Sequence, residues 1–244
     1  LGYPTGSCFN VVGPAGAADG ARPAFAGTVY TIPGSYGNWS AAMAAVTAGT
    51  IVPGDIIRVD KSVTVTDAQF PVIPGWTLGD DFICVQSSDM ASLPAYSYDS
   101  GPASYGVDNR GGKDAHLQYM PKFKTTTTNR SVLNFQQGGG GWWLEGLDIW
   151  ADTSVPTQAI VDLSPKTGTA SAARGQLSYL VQGLVFDRCR FRSTSGHQYV
   201  FGSADARYVR ITHCTADFAR RPGTTADSYE NKFMYLVNTD GHID

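Results

Sequence analysis

Short aliphatic runs closed by Gly, Pro, Asp or Ser recur along the chain, among them Asp55-Ile56-Ile57-Arg58-Val59 and Asp81-Phe82-Ile83-Cys84-Val85. Runs with these boundaries predict strands. They also match one another. Setting Gly183-Leu184-Val185-Phe186-Asp187-Arg188-Cys189-Arg190-Phe191 over Tyr208-Val209-Arg210-Ile211-Thr212-His213-Cys214-Thr215-Ala216 pairs Leu184 with Val209, Phe186 with Ile211 and Cys189 with Cys214, at an offset of 25. Gly146-Leu147-Asp148-Ile149-Trp150 reads as an earlier copy and Gly241-His242-Ile243-Asp244 as a later one, so Ile149, Phe186, Ile211 and Ile243 lie 37, 25 and 32 residues apart. The two upstream runs are offset by 26. Like-on-like matching at a similar period predicts a solenoid, because one round cannot bury its apolar row alone and stacking neighbours about 4.8 Å apart makes a single core.

Upstream, Asn38-Trp39-Ser40 leads into Ala41-Ala42-Met43-Ala44-Ala45-Val46, a short helix with Asn38 or Ser40 as its N-cap. An open stack exposes the edge of its first round, and an amphipathic helix is suited to cover it. The division expected is an N-terminal arm over residues 1–34 and the stacked repeat over 35–244. A long loop excursion is expected near 87–130, where Ser, Gly, Tyr and Asp dominate, and Gly138 to Gly141 form a turn before the Trp142-Trp143 strand. The last copy reaches Asp244 in mid-strand, which predicts that the repeat continues beyond it.

Composition sharpens this picture. Nineteen Asp against two Glu (Glu145 and Glu230), with 28 Gly and 13 Pro, favours turns over helices. A net charge of −3 gives no reason to expect a nucleic-acid partner, and no apolar run is long enough to predict a membrane span. The four cysteines, Cys8, Cys84, Cys189 and Cys214, make no C-x-x-C pattern. Cys189 and Cys214 occupy matched positions, where a disulfide and reduced stacking are both open, and Cys189 faces inward only if a bend follows Phe186. Cys8 and Cys84 could pin the arm to the second round.

The helix followed by Val52-Pro53-Gly54-Asp55-Ile56-Ile57-Arg58-Val59 resembles the opening coil of pectin-lyase-like proteins. Trp143-Leu144-Glu145-Gly146-Leu147-Asp148-Ile149 and Phe186-Asp187-Arg188-Cys189-Arg190-Phe191 resemble that superfamily's repeated coil. The resemblance covers most of residues 35–244. It implies an all-β fold, a right-handed single-stranded parallel β-helix with a short N-terminal capping helix, in a group that includes phage tailspikes, polysaccharide lyases, glycoside hydrolases and adhesins.

Strand alternation turns the repeat into a surface map. With Leu147, Ile149, Leu184, Phe186, Val209, Ile211 and Ile243 inward, one outward column reads Asp148, Val185, Arg210, His242, and the next reads Trp150, Asp187, Thr212, Asp244. Trp150 offers a flat apolar face to a sugar, with packing beneath the long loops as its alternative; Asp148, Arg210 and His242 would bind hydroxyl or uronate groups. Asp187 and Asp244, two rounds apart at roughly 9.6 Å, would stand near the upper limit of an inverting carboxylate pair. Asn238-Thr239-Asp240-Gly241 resembles a polygalacturonase signature and so implies a catalytic Asp240, although the family's paired Asp, Gly-His-Gly and Arg-Ile-Lys motifs do not follow it here. Arg188, Arg190 and Arg192 form a basic cluster that could bind an acidic sugar, supply the base of a lyase, or pair with Asp187 and Asp217. The resemblance to the lyases would bring Ca²⁺, which the supply of Asp suits, but no cofactor is required and no run of Asp fixes a metal site.

These readings converge on an extracellular or virion-surface protein of tailspike type. It would bind surface polysaccharide, with cleavage as a further activity, and assemble as a trimer or with other virion subunits. A secreted polysaccharide lyase or glycoside hydrolase and a non-catalytic adhesin or decoration protein are the alternatives.

Overall fold

The computed structural model describes residues 22–77, 79–93, 117–128, 130–136, 139–153, 157–163, 181–194, 197–203, 206–212, 214–218 and 232–236. After β1 (Val29–Ile32) and α1 (Trp39–Thr47), the strands fall into five successive triplets. The first is β2 (Ile56–Val59), β3 (Thr64–Thr66) and β4 (Ala68–Phe70). The second is β5 (Ile83–Ser87), β6 (Lys122–Thr125) and β7 (Leu133–Phe135), and the third β8 (Gly140–Glu145), β9 (Asp148–Ala151) and β10 (Thr157–Asp162). The fourth is β11 (Val181–Asp187), β12 (Arg190–Ser193) and β13 (His197–Ser203). The last is β14 (Ala206–Thr212), β15 (Thr215–Phe218) and β16 (Lys232–Leu236).

Members of a triplet go to three different sheets. Sheet A runs β1-β2-β5-β8-β11-β14, sheet B β3-β6-β9-β12-β15 and sheet C β4-β7-β10-β13-β16. Every pairing is parallel. A chain that from β2 on visits three sheets in rotation and pairs each strand with the one three places on is compatible with a parallel β-helix. Among the described residues no helix is long and apolar enough to cross a membrane.

The core is a set of rows running across the triplets. In sheet A, Ile57, Val85, Leu144 and Phe186 are in register and all fully buried. Sheet B contributes Val65, Phe123, Ile149 and Phe191, and in sheet C Phe70 stacks on Phe135 with centroids 4.5 Å apart. Aromatic rings close the space between sheets, as where Phe186, Phe191 and Phe201 meet edge to face within 5.7 Å. Such pairs add to the burial of apolar area.

The N-terminal end is closed by β1 and α1. Asn38 caps the helix, its side-chain oxygen accepting from the Ala41 N–H at 2.9 Å. Trp39, Ala42, Met43 and Val46, at helical spacing, are the buried face. The Trp39 ring meets Phe70 and Phe123 while its Nε1 donates to the Gln69 carbonyl. A groove of about 540 Å³ remains between α1 and β3. Asp55 fastens β1 to β2, its carboxylate accepting from the Thr28 and Val52 N–H groups at 2.7 and 2.9 Å.

Several sequence expectations are corrected. Within the arm expected over residues 1–34, β1 pairs with β2, and Arg22 and Phe25 lie on the outer face of sheet A. The excursion near 87–130 contains β6, a strand of sheet B. Gly140 and Gly141 belong to β8. Ile56 pairs with Cys84, an offset of 28 in place of 26, which leaves the same faces inward. The match of β11 to β14 at 25 holds, whereas Ile149 pairs with Phe191 and not with Phe186, an offset of 42 in place of 37. The copy at 241–244 lies outside the described residues.

Sheet A is buried on both faces. Ile56, Phe82, Cys84, Trp143 and Val185 form a second cluster on its outer side, covered by Phe25 and Trp76. Trp76 lies over Gly141 and Gly183, which share a left-handed backbone (φ 77° and 63°), and its Nε1 donates to the Asp81 carbonyl at 2.9 Å. A methyl group at either glycine would collide with the indole. Gly183→Ala should therefore lower the unfolding free energy by about 2–4 kcal/mol, combining backbone strain with overpacking. Gly49→Ala, at a left-handed glycine with open space around it, should lose only about 1 kcal/mol. Urea denaturation of both variants separates the two contributions; equal losses would exclude the steric one.

Candidate functional site

Alternation in sheet B turns Phe123, Ile149 and Phe191 inward and their neighbours outward. Two outward rows follow from the register: Lys122, Asp148, Arg190 and Lys124, Trp150, Arg192. The indole of Trp150 is bracketed by cations from the strands on either side, with the Arg192 guanidinium carbon 4.0 Å and the Lys124 Nζ 4.8 Å from its ring centroid. Trp150 Nε1 donates to Thr194 Oγ1 at 2.9 Å, and that hydroxyl donates to Asp152 at 3.1 Å. The second Asp152 oxygen accepts from Lys124 Nζ at 2.9 Å, and this hydrogen bond holds the Asp152 carboxyl below its ordinary pKa.

Arg192 also grips Asp148 with two nitrogens, Nε at 2.7 Å and Nη2, a fork geometry that suits a carboxylate. Asp148 is fully buried. Burial pushes its carboxyl up, and the Arg192 guanidinium restrains that rise without cancelling it.

A second polar row lies on the outer face of sheet A, where Gln86, Glu145 and Asp187 are in register. Glu145 is fully buried. One of its oxygens accepts from Arg22 Nε at 2.9 Å, and the other from Arg188. Arg22 continues to Gln86 at 3.0 Å and lies over the Phe25 ring at 5.0 Å. Burial works against the charge of Arg22, but the Glu145 carboxylate outweighs it and the guanidinium pKa is raised. Arg188 reaches this row because it occupies the turn between sheets A and B with a left-handed backbone, φ 51°. Its Nε also approaches Asp187 at 3.4 Å. Cys84 lies beside the row, its thiol pKa pushed up by burial and by the Glu145 carboxylate.

Strand spacing sets Glu145 and Asp187 about 4.8 Å apart, close to the separation of a retaining carboxylate pair. Two guanidinium groups occupy Glu145, however, so this row is an ion-pair network that fastens residue 22 and the corner to the sheet. The sheet B rows are the more accessible: Lys122 and Thr194 are exposed, and Lys124, Trp150, Asp152 and Arg192 are partly so.

The sequence-derived columns are thereby redistributed. Asp148 and Trp150 share sheet B, while Asp187 and Arg188 belong to sheet A and its corner. Arg210 pairs with Val185 in β14. Trp150 and Asp187 do not share a column, because Trp150 pairs with Arg192; Asp240, His242 and Asp244 lie outside the described residues. Of the ion pairs foreseen for the arginines, that of Arg188 with Asp187 is present; Arg188 also pairs with Glu145, and Arg192 pairs with Asp148. Glu145, Lys124 and Asp152 carry no site role in the sequence reading. Glu145 left one signal, a glutamate ending the otherwise uncharged Gly-Gly-Trp-Trp-Leu run of an Asp-rich chain. Among the described residues no three His, Cys, Asp or Glu side chains gather as a metal site would require.

Comparison of the chain with family models, with curated proteins and with solved structures returned no match.

The balance at Asp148 is open to measurement. A carboxyl whose pKa is higher folded than unfolded binds its proton more tightly in the native state, so its contribution to stability falls as pH rises from about 3.9 through the folded value. The stability of the parent minus that of Asp148→Asn should therefore decrease between about pH 3 and pH 7. Urea unfolding at both pH values checks the sign; an increase would mean that Arg192 outweighs burial.

Proposed function

We propose that the chain is a right-handed single-stranded parallel β-helix of the pectin-lyase-like kind. It serves as a tailspike-type protein of a virion or cell surface, binding surface polysaccharide along the outer face of sheet B. The observation that carries this reading is the ladder of Lys124, Trp150 and Arg192, in register on three neighbouring strands with the indole between two cations. A row of this kind runs across the strands and sets its two cations two strand spacings apart, about 9.6 Å. A linear chain of hydroxyl- or carboxylate-bearing sugars could meet both at once. The faces of Trp150 are taken by its own cations, so the glycan would meet the indole edge and the outward guanidinium and ammonium groups, and not a bare stacking platform.

Assembly as a trimer and display outside the cell belong to the same proposal. A secreted lyase or hydrolase is the second reading, supported by the adjacency of Asp187 and Glu145; it would require Glu145 to give up one of its arginines. A non-catalytic adhesin would bind in the same way without turnover.

A panel of purified surface polysaccharides tests these readings together. The parent should bind at least one member, Trp150→Ala should weaken that binding about tenfold or more, because the ring that positions both cations at the centre of the site is lost, and sedimentation should return a trimer. Shortening of the bound glycan would favour the enzyme. Binding by a monomer without shortening would favour the adhesin, and binding that survives Trp150→Ala would remove sheet B from consideration.

A further inference from the structure

We infer that Cys189 and Cys214 are a paired oxidation site, two thiols that a small-molecule disulfide converts into a covalent tie between the fourth and fifth triplets. The two residues, 25 apart in sequence, precede the matched positions Arg190 and Thr215 of β12 and β15. Strand spacing therefore sets their Cα atoms about 5 Å apart, within the range that a disulfide spans. Both are free. They already touch, with the Cys189 N–H donating to Cys214 Sγ at 3.4 Å.

The local fold explains why both sulfurs are available to each other. Arg188 takes the left-handed turn, which swings Cys189 into the main core, where it is 1% exposed. Its thiol contacts the Leu144 and Asp187 carbonyls, and that of Cys214 contacts the Phe186 carbonyl, each at 3.5 Å. Each sulfur thus leans toward the triplet before its own, which points the Cys214 thiol at the round that holds Cys189. Cys84 is excluded from the pair because it belongs to the separate cluster on the outer side of sheet A.

Access orders the chemistry. Cys214 is partly exposed and Cys189 is not. The Cys214 thiolate attacks one sulfur of the oxidant, releasing one thiolate and leaving a mixed disulfide on Cys214. Cys189 then gives up its proton and displaces the second thiolate, closing the Cys189–Cys214 bond. Two protein thiols are oxidised and one external disulfide is reduced to two thiols. Burial raises the Cys189 thiol pKa well above its ordinary value, so closure should quicken with rising pH.

The test uses the full chain, oxidised glutathione as the probe, alkylation of residual thiols and peptide mapping. The expected product is a cross-link between the Cys189 and Cys214 peptides with no retained glutathione. The thermal midpoint should rise by on the order of 5 °C or more, and a reductant should reverse the rise. Cys189→Ser should trap glutathione on Cys214, and Cys214→Ser should leave Cys189 unreacted while the chain is folded. The parent's map stands whether or not the variants fold. Glutathione persisting on Cys214 of the parent, a cross-link to Cys8 or Cys84, or two unreacted thiols where the urea-unfolded chain oxidises would each overturn the inference.

Discussion

The hydrogen-bond ladder between a strand and the one three places later sets everything else in this molecule. Because the ladder is parallel and in register, each side chain lies against its counterpart in the next triplet about 4.8 Å away, over like in the core rows and over cation, ring or carboxylate in the outer rows of sheet B. Ile57, Val85, Leu144 and Phe186 share one line, and Lys124, Trp150 and Arg192 another. No triplet encloses a core alone. The apolar rows exclude water only when neighbours are present, which is why the chain's first round is closed by β1 and by the buried face of α1.

How far this was legible follows from where residues repeat and where they only resemble a repeat. The pairing of β11 with β14 could be read because its two segments have equal length and carry matched cysteines. The Asn38 cap could be read because an amide side chain ahead of an alanine-rich run has one local use. The failure at β9 has a specific cause. Gly146 invites alignment with Gly183, and both have a left-handed backbone, but they do different jobs. Gly146 turns the corner between sheets A and B, whereas Gly183 makes room for Trp76. The true counterpart of Gly146 is Arg188, a left-handed residue with a side chain, which no alignment by residue type would choose. From that substitution came the misplaced column of Trp150 and Asp187. The pairing of Arg22 with Glu145 was hidden for another reason: nothing local links positions so distant.

Charge follows the same rule of neighbours. Three carboxylates on the outer faces are met by arginine or lysine from an adjacent strand, from the corner or from the arm: Asp148 by Arg192, Asp152 by Lys124, and Glu145 by Arg22 and Arg188. The buried members of these pairs lose hydration and regain it only in part, so they tie positions together more than they raise stability. Binding would draw on the more open pairs of sheet B, and the closed network of sheet A would keep the framework in place.

The contact between Arg22 and Glu145 spans 123 positions, and that between Arg22 and Gln86 spans 64. Both acceptors lie on neighbouring strands, β5 and β8, so the arm's seat is not complete until those strands have met. The loop to be closed is far longer than any needed to lay one triplet on the next, and closing it first would cost chain entropy with no contact in return. Assembly order is thereby written into the architecture. The arm is made before the strands that seat it, yet it settles after them, and the outer side of Trp143 stays uncovered by Phe25 until the stack beneath it exists.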